Sequence, residues 1–424
     1  MAPSFRRRVR SIALLEQLGP GLVTGAADDD PSGIATYSQA GAQFGYSLLW
    51  TLLLTYPLMS AIQLVSAHIG RVTGRGLARN LRAVMPAWLV TALVALLFVA
   101  NTINVGADIA AMGAAARLVA GGGQHVFTIA FALVSLTLQL FVPYRRYVRF
   151  LKWLTLALFA YPALLLMVQV DWRAVGLGLV WPRVAFSREA VTTIVAVFGT
   201  TISPYLFFWQ SSQEVEEVKQ DPEAEPLKRA PHQADGEFAR MRLDTFLGMA
   251  VSNFIALAIM IGTAATLHAA GKTNLGTAAD AANALRPIAG PFAFALFSLG
   301  IIGTGLLAVP VLAGSAAYAV GETRGWRCGL EHKPWEAVGF YSVIAVATAL
   351  GVAIDWSPLD PMKALFWSAV VNGVIAVPMM AAAMFVASRQ EQMGPFTTDL
   401  PLKIFGWLAT AVMAAAAVAM FATL

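Results

Sequence analysis

Eleven long apolar segments, separated by polar connections, occupy most of the 424-residue chain. They run near 18–45, 47–70, 87–117, 126–142, 150–170, 189–218, 243–268, 291–320, 336–354, 364–387 and 403–423. Most match or exceed the roughly 20 residues that a helix needs to cross a bilayer. None alternates polar with apolar, so a transmembrane β-barrel is excluded. Helices are then the remaining backbone that satisfies its own hydrogen bonds in lipid. Charged residues make up 12% of the chain, against about 25% in soluble domains. So few charges cannot solvate a globule of this size. The chain reads as an all-α polytopic membrane protein with no soluble domain.

Charge placement sets an orientation. With the N-terminus in the cytoplasm, 22 of the 29 Lys and Arg fall in inside loops, among them Arg6, Arg7, Arg8, Arg75, Arg79, Arg145 and Arg324. That asymmetry places the N-terminus inside and the C-terminus outside, in a cell (inner) membrane. It also accounts for the net charge of +5, so no nucleic-acid partner is expected. The single cysteine, Cys328, excludes an internal disulfide and Cys-based zinc or iron–sulfur sites. The polar stretch 220–242, rich in Pro and charge, reads as a mobile connector. No P-loop, H-E-x-x-H or G-x-S-x-G is present, which argues against an enzyme or an ATP-driven pump.

Two segments are interrupted where charge and backbone disorder are costly. The first contains G-A-A-D-D-D-P-S-G-I, with Asp28, Asp29 and Asp30 ahead of Pro31, Ser32 and Gly33. Intramembrane carboxylates are expensive and usually functional. Pro31 removes a backbone donor and disfavours helix at Asp30. The helix should unwind here and set free carbonyls beside carboxylates, an oxygen-rich site for a hard cation. The sixth segment breaks at Ser203–Pro204, after Gly199, Thr200 and Thr201. Segment one starts inside and segment six outside, so the breaks fall in the first helices of two oppositely oriented halves. Paired interruptions of that kind mark a midplane binding site in transporters.

At these residues the chain resembles the NRAMP family of divalent-metal transporters. The resemblance rests on Gly19–Pro20–Gly21, on Asp30–Pro31–Ser32–Gly33 where the family has D-P-G-N, and on G-R-V-T-G-R-G-L-A after segment two. It continues through Asp108 in D-I-A-A-M-G, G-T-T-I-S-P-Y in segment six, R-L-D-T and L-F-S-L-G-I-I-G-T-G. It implies a LeuT-type fold: two inverted five-helix repeats (18–170 and 189–387) plus an eleventh helix (403–423). It implies a divalent cation as substrate, with no cofactor, bound between the two breaks by Asp30 and the Thr200 carbonyl. The departures are specific. The family's asparagine ligand is Gly33 here and its methionine ligand is Ser203. Losing the thioether removes the preference for soft metals. A set of Asp30, backbone carbonyls, Ser203, and Asp28 or Asp29 suits Mg²⁺ or Mn²⁺, with part of the water shell retained. The family's second acid in segment three is Ala111, its segment-six histidines are Tyr205 and Gln210, and segment nine has no Arg. Weak or absent proton coupling is the expectation.

Other polar residues lie within the spans. His68 is either a proton relay or a hydrogen-bonded helix histidine. Asp108 lies either on an ion path or in a structural pairing with Asn101, Asn104 or Asp244. Asp244 reads as an acid at the N-terminus of segment seven, favoured there by the helix dipole. Asn372 faces the site or another helix. The alternative function is a carrier of a small organic cation or amino acid on the same fold, since Gly33 and Ser203 leave space. The oligomeric state is not legible.

Overall fold

The computed structural model describes residues 20–142, 154–182, 187–356 and 360–423. The basic N-terminal run, Gly19, residues 143–153 at the start of the fifth segment, and the Arg183 loop lie outside the described residues. Among the described residues there is no strand. Among the described residues eight helices are long and apolar enough to cross a membrane, two of them counting a broken or bent pair as one.

The first segment is two half-helices, α1 (Pro20–Asp28) and α2 (Pro31–Phe44). A 3-10 turn leads into α3 (Leu49–Thr73), and the short α4 (Leu77–Val84) follows. Then come α5 (Ala87–Ala120) and α6 (Gln124–Phe141). The fifth segment is described from a 3-10 turn, Leu154–Phe159, through α7 (Ala160–Leu164). The connection beyond it carries α8 (Trp172–Val180). The sixth segment is again two halves, α9 (Arg188–Thr201) and α10 (Pro204–Gln220). The long helices of the remainder are α11 (Ala234–Thr263), α12 (Ala293–Arg324), α13 (Val338–Ile354), α14 (Pro361–Ala387) and α15 (Leu400–Thr423).

Packing follows from small residues. In a membrane the helices gain nothing from leaving water, so close backbone approach and van der Waals contact hold them together. The half-helices lean on continuous ones through glycine. A Cβ on Gly25 of α1 would lie 2.4 Å from the Gly248 carbonyl of α11, and one on Gly199 of α9 would lie 2.0 Å from the Ala369 carbonyl of α14. α5 and α12 form the central packed pair beside the breaks.

Two expectations are corrected. The stretch 220–242 is not a mobile connector throughout. Its second half is already helix, because α11 begins at Ala234. Its first half is pinned: the amides of Leu227 and Lys228 donate to the Arg71 and Val72 carbonyls at the end of α3. The polar start of α11 hides its onset from a hydropathy reading, which sees only the later, apolar turns. For the same reason Asp244 is not at a helix N-terminus. It lies ten residues inside α11, and its carboxylate accepts the Gly21 amide at 2.6 Å, capping α1 instead.

Candidate metal site

Each proline at a break removes the donor that a continuous helix would have sent back four residues. Pro31 therefore frees the Ala27 carbonyl, and Pro204 frees the Thr200 carbonyl. The structure brings these two gaps together. A Cβ on Gly33 would lie 3.2 Å from Thr200 Oγ1, and the Tyr205 hydroxyl donates to the Ala27 carbonyl at 3.0 Å.

Asp30 caps α2. Its Oδ1 accepts the Gly33 amide at 2.7 Å and the Ser32 hydroxyl at 2.9 Å. Its Oδ2 accepts Asn104 Nδ2 and the Tyr205 hydroxyl, both at 3.3 Å. Ser203 Oγ donates to the Gly199 and Thr200 carbonyls at 2.7 and 2.9 Å, which leaves its lone pairs free. Asp30, Thr200 and Ser203 are each 1% exposed. Tyr205 thus joins the Ala27 carbonyl to Asp30, and Ser203 joins the Thr200 carbonyl, oxygen donors with one carboxylate among them.

The other expected site residues distribute unevenly. Asp28 and Asp29 turn towards α11, where Ser252 Oγ donates to them at 2.6 and 3.2 Å. Asp28 Oδ1 remains without a partner among the described residues. Asp108 lies one turn beyond Asn104 on α5, with both carboxylate oxygens unpartnered among the described residues. The pairings expected for it are taken elsewhere: Asn101 bonds the Leu312 carbonyl and Ser315, Asn104 bonds Asp30 and Ser368, and Asp244 bonds Gly21. His68 is not gathered with these residues: its ring packs on Phe238, with centroids 4.6 Å apart. Asn372 is one turn beyond Ser368 on α14, its amide atoms unpartnered among the described residues. Sequence reasoning missed Ala27, whose part is played by backbone, and the pairing of Asn104 with Asp30. It also missed Met112, which packs near Pro31: a Cβ on Gly305 would lie 2.5 Å from its Sδ and 3.3 Å from Pro31 Cγ. Among the described residues no three His, Cys, Asp or Glu side chains cluster as a metal group.

A cavity of about 290 Å³ lies between α2, α9 and α14, with Ala35 and Thr193 in its lining. On the opposite, Arg-rich face, polar bonds clamp α1. Thr24 Oγ1 donates to Gln210 Oε1 at 2.5 Å, and Gln210 Nε2 donates to Glu214 Oε1 at 3.4 Å. Arg240 pairs with Glu214 at 2.5 Å, Glu217 at 3.4 Å and Glu237 at 2.9 Å, and Arg71 pairs with Glu237 at 3.3 Å.

A family model described as natural resistance-associated macrophage protein-like matches residues 21–423. The chain belongs to the Nramp family. A divalent metal cation transporter MntH of Burkholderia ambifaria is 29% identical over 96% of this chain and 88% of its own length. The MntH of Deinococcus radiodurans is 27% identical over 96% and 89%. A manganese transporter of Eremococcus coleocola, solved with an aromatic bis-isothiourea compound, superposes with a TM-score of 0.75 at 18% identity, covering 100% of this chain and 88% of that one. Mhp1, a nucleobase-cation-symport-1 family transporter, superposes at 0.57 with 14% identity, covering 96% and 92%. The fold of this Nramp protein is accordingly LeuT-type, two inverted five-helix repeats plus an eleventh helix. Family membership makes it a multi-pass transporter whose divalent cation is cargo rather than cofactor, and not an enzyme. It also corrects the alternative of an organic-cation carrier. The space expected at Gly33 is already filled by Thr200 and Tyr37, 3.2 and 3.3 Å from where a Cβ would sit.

Proposed function

We propose that the chain moves Mg²⁺ or Mn²⁺ across the inner membrane by alternating access, with weak or no proton coupling. The observation that carries this reading is the all-oxygen donor set at the paired breaks: the Asp30 carboxylate, the Ala27 and Thr200 carbonyls and the Ser203 hydroxyl. Oxygen donors around a single carboxylate suit a hard cation that keeps several waters. Buried polar groups are normally hydrogen-bonded. The Asn372 amide and Asp108 carboxylate, unpartnered among the described residues, suit a route taken by a hydrated ion. On this reading the N-terminus is cytoplasmic and the C-terminus outside, residues 18–170 and 189–387 form the repeats, and 403–423 the extra helix. The clamp on α1 is then the closed inner gate, and the 290 Å³ cavity the outer vestibule. Proteoliposome uptake with Mg²⁺, Mn²⁺, Ca²⁺ and Cd²⁺ in competition tests it. Mg²⁺ and Mn²⁺ should compete best, and uptake confined to Cd²⁺ would overturn the proposal.

A further inference from the structure

Away from the metal site, a groove of about 440 Å³ runs between α5 and α13 and ends at the last turn of α12. Its walls are apolar: Ala95 and Phe98 on α5, Val343 and Val346 on α13. Val99 and Val346 are half-exposed, so the groove opens sideways to where lipid would lie. It rises from Thr91 to Val99, about 12 Å at ~1.5 Å per helical residue.

Its lower mouth has a different chemistry. Arg324 and Trp326 line it. Arg82 of α4 reaches the same point, its guanidinium donating to the Thr323 carbonyl. The guanidinium-bearing residues Arg82, Arg324 and Arg327 are all exposed. Among the described residues none of the three is in an ion pair. Glu322 is turned to the other side of α12, where it accepts Ser212 Oγ at 3.0 Å and the Arg79 amide at 3.3 Å. Glu216 pairs with Lys219 at 3.0 Å, and Glu336 faces His332 and the Lys333 amide. Trp88, Trp326 and Trp335, all exposed, mark this level as a membrane–water boundary, where amphipathic indoles concentrate.

We propose that this groove binds an anionic phospholipid, with an acyl chain between α5 and α13 and the headgroup phosphate at Arg82 and Arg324. An apolar slot fits any acyl chain. The unneutralised arginines at its mouth select the anionic headgroup, by planar, multiple hydrogen bonds to phosphate oxygens. α4 owes its placement to sequence: its Leu77 and Leu81 are buried and its Arg79 and Arg82 face outward, an amphipathic helix at the boundary.

The test uses the full chain, reconstituted in equal phosphatidylglycerol and phosphatidylcholine, extracted in mild detergent and read by native mass spectrometry. The wild type should retain phosphatidylglycerol over phosphatidylcholine by on the order of tenfold, since each arginine near a charged headgroup contributes measurably. In R82Q/R324Q that ratio should fall to about one, while A95W, which fills the slot, should remove both lipids. Equal retention of the two lipids by the wild type overturns the proposal, as does an unchanged ratio in R82Q/R324Q. A dimer that persists after lipid is stripped and disappears in A95W would also overturn it, assigning the groove to a second copy of the chain.

Discussion

Asp30 holds four hydrogen bonds at once, from Gly33, Ser32, Asn104 and Tyr205. Its neighbours Asp28 and Asp29 share one serine. Asp30→Asn keeps most of that geometry but removes the charge, so binding and uptake should fall by two orders of magnitude or more on the scale of a lost charge-assisted contact, with the protein still folded. Isothermal titration and uptake measure it. Near-normal uptake by the variant would move the charge to Asp28 or Asp29. Ser203→Cys tests the hardness of the site. A thiolate in place of the hydroxyl should favour Cd²⁺ over Mg²⁺ by about tenfold or more relative to wild type. Cys328 does not confound the result, because it is present in the wild type as well. An unchanged Cd²⁺/Mg²⁺ ratio would mean that Ser203 does not face the ion.

At the scale of elements, the two breaks were legible because proline and carboxylates are conspicuous within apolar runs. The two breaks do face each other, through Gly33 against Thr200 and Tyr205 against Asp30. Three things were not legible. The Ala27 carbonyl carries no side-chain signature. Asn104 meets Asp30 across 74 residues of chain, a pairing that only tertiary packing sets. The onset of α11 lay in polar sequence, which misplaced Asp244 and concealed the clamp. That clamp makes a prediction of its own. On the Arg-rich face the polar anchors of α1 are Gly21–Asp244 and Thr24–Gln210–Glu214–Arg240, added to its packing on α11 at Gly25. Removing one partner of a buried ion pair costs roughly 3–5 kcal/mol. Arg240→Ala should therefore loosen α1, raising amide exchange in 20–28 by at least about tenfold. Exchange in 31–44, which the clamp does not bond, should stay near wild type. Equal protection of both halves in the variant would show that the clamp does not hold α1.

For the molecule as a whole, the question is what drives the ion. A proton-coupled carrier needs a second titratable route through the bilayer, with groups spaced closely enough to relay. α5 offers one acid, Asp108, and α13 no charged residue at all. Where these two helices meet, their backbones touch: a Cβ on Gly106 would lie 2.7 Å from the Gly351 carbonyl, which leaves no room there for an ionic pair. His68 packs on Phe238 rather than at the breaks, and Tyr205 donates its hydroxyl to Ala27 and Asp30. Asp108 itself has no hydrogen-bonded partner among the described residues through which to pass a proton. In proteoliposomes loaded with a pH-sensitive dye, Mn²⁺ uptake should proceed without matching acidification and should follow the membrane potential. Asp108→Asn should leave that behaviour in place, changing the uptake rate by no more than a few-fold, since it removes a charge near the route but no relay. Acidification in step with uptake, abolished by Asp108→Asn, would instead make Asp108 the proton carrier and require a path that opens only in another conformation.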